Sequence, residues 1–268
     1  MSCVCPIDCW RSTEVSESGK CPIVFTVCGA DLTRPLQVPC GRCVGCCADR
    51  ALIWSIRVFH ESTLHKQNSF LTLTYSDAPE SVSKRDLQLF FKRLRKFAKV
   101  RYFACGEYGS HTHRPHYHVC LFGVDFLADS YAISDSLYGN RVLDDCWSHG
   151  LCSVGSLTLA SAMYVAGYVS KKIGDPDTFN LMSTRPAIGR GWLDKFVDDI
   201  RRTGKVVIDG QEFTVPKKYL EWYSDELVNV IDARREFART GDWWLSREQL
   251  PAKQLLYESR NQLKVSQI

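Results

Sequence analysis

Arg114-Pro115-His116-Tyr117-His118-Val119-Cys120-Leu121-Phe122 is the stretch whose reading decides the fold. Successive side chains on a strand point to opposite faces, so His116, His118, Cys120 and Phe122 share one face, and Tyr117, Val119 and Leu121 share the other. Two imidazoles at i and i+2 point the same way and can chelate one ion. Val100 to Glu107 reads as the preceding strand, and pairing the two as a hairpin brings Glu107 level with the histidines as a third ligand. Imidazole plus carboxylate with open positions suits Mn²⁺, Zn²⁺ or Fe²⁺ and tolerates Mg²⁺. The plainer reading of a His-x-His pair is two histidines in packing or surface hydrogen bonds. His111 and His113 read as loop residues.

A helix is expected from about Leu159 to Ile173, with Ala162, Val165, Ala166, Val169 and Ile173 as its apolar stripe. Tyr164 and Tyr168, at i and i+4, are neighbours off that stripe, and Lys171 and Lys172 follow one turn later. A phenol with a pKa of about 10 needs a cation or base to act as a nucleophile at neutral pH. A metal on the histidines and the Lys171 ammonium can supply that help, although a bare Tyr-x-x-x-Tyr also fits simple aromatic packing. Metal ligands beside paired phenols suggest metal-assisted cutting and rejoining of single-stranded DNA.

The rest of the chain supplies a scaffold. Its 268 residues are 45% hydrophobic and 24% charged, an ordinary globular composition, and the net charge of +4 alone says little about partners. Phe70 to Tyr75 reads as a buried strand. Ser83 is expected to cap a helix running to about Lys99, with Leu87, Phe90, Phe91, Leu94 and Phe97 as its stripe. That helix region carries eight basic residues from Lys84 to Arg101, of which Arg85, Lys92, Arg93, Arg95 and Lys96, with Lys172, are candidate phosphate contacts. Tyr108, Tyr117 and Trp192 are candidates for stacking on unpaired bases. Residues 1–39 look irregular, 124–150 look like an insertion, a hairpin is expected around Asp209-Gly210-Gln211, and the last forty residues look helical.

Thirteen cysteines, no secretory leader and no membrane-spanning run point to a reducing cytosol. Cys40, Cys43 and Cys46 have metal-ligand spacing, and Cys47 or an earlier cysteine, Cys21 or Cys28, is expected to complete a structural zinc site. Reduced cysteines near a turn are the alternative.

Taken in order, Glu107, His116-x-His118 and Tyr164-x-x-x-Tyr168-x-x-Lys171 resemble the HUH endonuclease superfamily, above all the rolling-circle replication initiation proteins of Microviridae, the gokushovirus-like single-stranded DNA phages. Pro39 to Cys46, Lys84 to Gln88, Cys105 to Gly109 and Ser183 to Trp192 add to the resemblance, which covers most of the chain. It implies an α+β fold with a central antiparallel sheet, flanking helices, an N-terminal Cys-rich segment (1–48), an endonuclease domain (49–204) and a hairpin with a helical C-terminal extension (205–268). It implies Glu107, His116 and His118 as ligands for Mn²⁺ or Mg²⁺, and Tyr164, Tyr168 and Lys171 as catalytic groups nicking through a 5′-phosphotyrosine link. The implied partners are single-stranded or hairpin origin DNA, a host helicase and a host polymerase, with no membrane, in the bacterial host cytoplasm. Two readings of other classes use the same residues: a 2-His-1-carboxylate iron oxygenase, and a non-catalytic zinc-dependent nucleic-acid binding protein built on Cys40 to Cys46.

Overall fold

Seven antiparallel strands form the main sheet in a computed structural model that describes residues 2–17, 19, 21–109, 112–171, 178–240 and 249–265. The chain divides into two compact units, residues 50–235 and residues 1–49 with 236–268.

In the larger unit the sheet is built from β4 (Asn68–Thr74), β5 (Arg101–Tyr108), β6 (Pro115–Phe122), β7 (Tyr131–Ser134), β8 (Leu137–Gly139), β9 (Cys152–Gly155) and β10 (Phe179–Met182), ordered β10-β5-β6-β4-β9-β8-β7. Strands β4, β5 and β6 are its centre, which explains why they read as near-continuous apolar runs: both faces are covered. The stretch 124–150, expected as an insertion, contributes β7, β8 and the short helix α3 (Arg141–Cys146) to the edge of the same sheet.

Alternation along β6 assigns the two faces. Tyr117, Val119 and Leu121 are fully buried against α2 (Lys84–Leu94), whose Leu87, Phe90, Phe91 and Leu94 are likewise buried, and against Trp147. Ser83 caps α2 as expected, its side chain accepting a hydrogen bond from the Asp86 amide. The helix ends sooner than its periodicity suggested. Phe97 N–H donates to Leu94 O in a tightened last turn, and Phe97 is 61% exposed rather than part of the stripe. On the other face, Cys120, Phe122, Phe103 and Cys105 pack against Val58 of α1 (Val44–Ser62) and against Ala162 and Val165 of α4 (Leu159–Lys171).

A separate core joins α1 to α5 (Arg190–Thr203), the hairpin β11 (Lys205–Ile208) and β12 (Gln211–Thr214), α6 (Lys217–Trp222) and the start of α7 (Val228–Thr240), through Ile56, Leu193, Ile200, Val206, Tyr219 and Val230. The β11–β12 turn follows its sequence signal, with Asp209 and Gly210 both at positive φ (49° and 76°).

The smaller unit corrects the expectation of an irregular N-terminus. Strands β1 (Ile7–Ser12), β2 (Ile23–Val24) and β3 (Ala30–Val38) form a three-stranded antiparallel sheet, ordered β2-β1-β3. Most of β3 is partly or fully exposed, so it lacks the apolar alternation by which a strand is recognised in sequence. Helix α8 (Gln249–Val265) belongs to this unit.

The two ends of α2 give a stability test. Phe90→Ala removes a fully buried ring and is expected to cost about 3–5 kcal/mol in urea denaturation, whereas Phe97→Ala, at an exposed position, is expected to stay within about 0.5 kcal/mol. Equal costs would refute the placement of the helix end.

Candidate metal centre and paired tyrosines

The register of three strands assembles the site. On β5 and β6, Glu107 lies opposite His116 and Cys105 opposite His118; on β4 and β6, Thr72 lies opposite His118. The β5–β6 connection is a short hairpin closed by a hydrogen bond from Gly109 N–H to Arg114 O. His113 lies in it, as expected, at φ 50°, while His111 falls outside the described residues.

The pairing brings the three expected ligands together. Glu107 Oε1 is 2.9 Å from His116 Nε2 and 3.0 Å from His118 Nε2, and the three side chains form a group that could hold a metal ion, their ligand atoms all within 4.8 Å of one another. Glu107 and His118 are buried, and His116 is half-buried. The outer ring nitrogens are anchored. His116 Nδ1 is 3.1 Å from the Arg114 carbonyl, which only accepts, so Nδ1 carries the proton and Nε2 presents its lone pair whenever the ring is neutral. His118 Nδ1 is 3.1 Å from Thr72 Oγ1.

Two buried atoms remain without a hydrogen-bond partner among the described residues: Glu107 Oε2, and His118 Nε2, which is close to the carboxylate but not aligned for a hydrogen bond. Buried polar atoms left unpaired are costly. Both point into one group of ligand atoms, and a divalent cation satisfies both. The donor set therefore fits Mn²⁺ or Mg²⁺, held by Glu107, His116 and His118.

The electrostatics agree. Burial raises the Glu107 carboxyl, but hydrogen bonds and charge from His116 and His118 outweigh it and hold the group below its ordinary value. Burial lowers the His118 pKa, with Glu107 opposing in part, so its imidazole favours the neutral form a metal requires.

Helix α4 places the phenols beside these ligands. The Tyr164 ring is edge-on to His118 at 5.0 Å, and the Tyr168 ring stacks near it at 5.6 Å. Phe70 also stacks on His118, at 5.8 Å. Ala162, Val165 and Ala166 are buried, and the half-buried tyrosines flank that stripe rather than turning away from it. Tyr168 donates a 2.8 Å hydrogen bond to Tyr164 Oη. Burial raises both phenol pKa values, and that bond opposes the rise at Tyr164 while adding to it at Tyr168. Tyr164 is thus the more acidic of the pair.

Other sequence-based expectations fare differently. The Lys171 side chain, Lys172 and Ile173 lie outside the described residues, as does the Val169 side chain. Arg85, Lys92, Arg93, Arg95 and Lys96 belong to α2 and its C-terminal turn, which covers the face of the sheet opposite the histidines. That position follows from the phenylalanines of α2 packing on Tyr117, Val119 and Leu121, which alternate with His116 and His118. Arg93 is tied down, donating to Cys146 O at 3.0 Å. Tyr117 is fully buried, with its hydroxyl bonded at Ser83, so it is not available to stack on a base. Tyr108 Oη accepts a hydrogen bond from Val82 N–H, and Trp192 stacks on His60 at 3.5 Å.

Cys40, Cys43 and Cys46 do come together, but the fourth member is Cys3, not Cys28, which is exposed in the turn before β3. Sequence reading also missed Thr72 and Phe70 as neighbours of His118. Both lie on an expected strand at alternate positions, yet only the β4–β6 register shows that they face the histidine.

The comparisons with known proteins point the same way. Residues 68–173, which contain every ligand and both tyrosines, match the family of replication-associated protein ORF2. The chain is similar to replication-associated protein VP4 of Bdellovibrio phage phiMH2K, 34% identical over 210 residues, 69% of this chain and 67% of that protein. It is also similar to replication-associated protein ORF2 of Spiroplasma virus 4, 32% identical over 236 residues, 75% and 73% of the two chains. Replication-associated protein ORF4 of Chlamydia phage 1 is 27% identical over 227 residues, covering 75% of this chain and 56% of that one. No solved structure matches. The chain belongs to the family of phage replication-associated proteins that these relatives represent, and the kinship expected from its motifs is borne out.

The hold of Thr72 on His118 is testable. Thr72→Val keeps the shape but removes the hydroxyl, and is expected to weaken Mn²⁺ binding by roughly tenfold or more in an electron paramagnetic resonance titration. Affinity should also fall on acidification, as protons compete for the imidazoles. Unchanged affinity in both experiments would contradict the assignment.

Proposed function

We propose that the chain initiates rolling-circle replication of a small single-stranded DNA phage by nicking and rejoining origin DNA. The observation that carries this reading is the convergence of Glu107, His116 and His118 with Tyr164 and Tyr168 on one face of the sheet. The kinship with phage replication-associated proteins supports it.

Glu107, His116 and His118 hold the divalent ion, while Thr72 and the Arg114 carbonyl fix the two rings. Bound there, the ion polarises a non-bridging oxygen of the scissile phosphate and offsets charge at a nearby phenolate. The first tyrosine to react loses its proton, and its oxygen attacks phosphorus. The bond from phosphorus to the 3′ oxygen breaks, leaving a 5′-phosphotyrosine link, and the released 3′ oxygen takes up a proton. Phosphodiester energy is kept in the new ester, so rejoining requires no nucleotide triphosphate. Because Tyr168 donates its hydrogen bond to Tyr164, Tyr164 is the favoured first nucleophile. After one circuit the other tyrosine cleaves the regenerated junction, and the freed 3′-hydroxyl attacks the first link to close a circle.

The partners in this reading are single-stranded or hairpin origin DNA and a host helicase and polymerase, in the host cytoplasm. Among the described residues no helix is long and apolar enough to cross a membrane. An iron oxygenase could use the same three ligands, but it gives Tyr164 and Tyr168 no work beside them.

The test mixes the protein with single-stranded origin DNA and Mn²⁺ and follows covalent protein–DNA adduct on a denaturing gel. Tyr164→Phe with Tyr168→Phe is expected to abolish the adduct. His118→Ala is expected to reduce cleavage by about 100-fold or more and leave DNA binding mostly intact. Adduct persisting in the double phenylalanine variant would refute the nucleophile assignment.

A further inference from the structure

We propose that Cys3, Cys40, Cys43 and Cys46 form a four-thiolate zinc site that fastens the beginning of the chain to the first turn of α1. This inference is independent of the nicking chemistry, since all four residues lie in the smaller unit.

The backbone brings them together before any metal is considered. Strands β1 and β3 pair antiparallel, with Ile7 opposite Val38. The chain ahead of β1 therefore runs back alongside residues 39–43, and Cys3 arrives at the turn that holds Cys40 and Cys43. Helix α1 begins at Val44, so Cys46 sits in its first turn, facing the same point. Gly45 permits the approach. A Cβ there would overlap the Ser2 carbonyl, so only glycine lets residues 2–4 lie across the start of the helix. Gly41, at φ 75°, makes the turn between Cys40 and Cys43.

The sulfur geometry is that of a metal site. Cys3 Sγ is 3.7 Å from Cys40 Sγ and 3.7 Å from Cys43 Sγ, and Cys40 Sγ is 4.0 Å from Cys46 Sγ. Four thiolates bound to one zinc at ~2.3 Å in a tetrahedron are ~3.8 Å apart along each edge. A disulfide would need ~2.05 Å, and every cysteine of the chain is a free thiol.

Backbone N–H groups are already aimed at the sulfurs. Val4 donates to Cys43 Sγ at 3.3 Å, Cys40 to Cys3 Sγ at 3.4 Å, and Arg42 and Cys43 to Cys40 Sγ at 3.4 and 3.3 Å. A zinc bound by four thiolates carries a net charge of about −2, and such donors, with the N-terminal end of α1, offset it. Binding is a proton exchange without redox change: four thiols lose four protons, four Zn–S bonds form, and no oxidant is required. A closed tetrahedral set of four sulfurs leaves no open position, so the role is structural rather than catalytic.

The full chain, purified without chelator, tests this directly. Metal analysis is expected to find zinc retained, and zinc X-ray absorption to find a shell of four sulfurs at ~2.3 Å. Running the same measurement on Glu107→Gln with His118→Ala removes the other metal group and should leave that sulfur shell unchanged. In chelator competition, Cys28→Ser should hold zinc like the unaltered chain, while Cys3→Ser should release it at least tenfold more readily. A nitrogen and oxygen shell, a chain that retains no zinc, or a Cys3→Ser variant as tight as the unaltered chain would overturn the proposal. The absorption measurement on the unaltered chain keeps the test valid even if Cys3→Ser folds poorly.

Discussion

A slip of one residue between β5 and β6 would turn His116 and His118 toward α2 and put Tyr117 where they stand. The register that sets Glu107 against His116 is therefore the constraint on which the rest of the structure depends. It is enforced from the opposite side of the sheet. Tyr117, Val119 and Leu121 are fully buried against the α2 phenylalanines, and exposing that row would cost several kcal/mol. The hydrophobic core thus fixes the polar site without touching it. On the site's own face, Ala162 and Val165 press α4 onto Cys105 and Cys120, which sets the distance at which Tyr164 and Tyr168 meet His118.

The site is built at an electrostatic cost. A buried carboxylate sits between two imidazoles, with one oxygen lacking a hydrogen-bond partner among the described residues, and burial keeps both nearby phenols protonated at neutral pH. An arrangement of this kind is stable because the surrounding fold over-determines it, and it becomes fully satisfied when a cation arrives. The same cation would lower the cost of a phenolate in the half-buried space around His118. The perturbations that look unfavourable in the free protein are those a metal-dependent nucleophile requires.

Much of this was legible in the sequence. The two-residue period of β6, the capping pair Ser83 and Asp86, the Asp209-Gly210 turn and the i, i+4 tyrosines are local signals, and the structure follows each of them. What was hidden depends on pairing between segments far apart in the chain. Thr72 and Phe70 became neighbours of His118 only through the β4–β6 register, and Cys3 joined Cys40 only through β1–β3. The largest misreading concerned the basic helix. A run of cations was taken as a surface near the chemistry, yet α2 covers the reverse of the sheet, because its phenylalanines follow Tyr117 and not the histidines. Charge patterning gives composition, and only topology gives the side.

The most direct measurement is a crystal structure of the protein soaked in Mn²⁺, located by anomalous scattering. The account requires a peak at coordination distance from Glu107, His116 Nε2 and His118 Nε2, with the Tyr164 and Tyr168 hydroxyls facing it across a gap that admits one phosphate. A peak elsewhere with none at these three side chains, or phenols turned away from the ion, would contradict it.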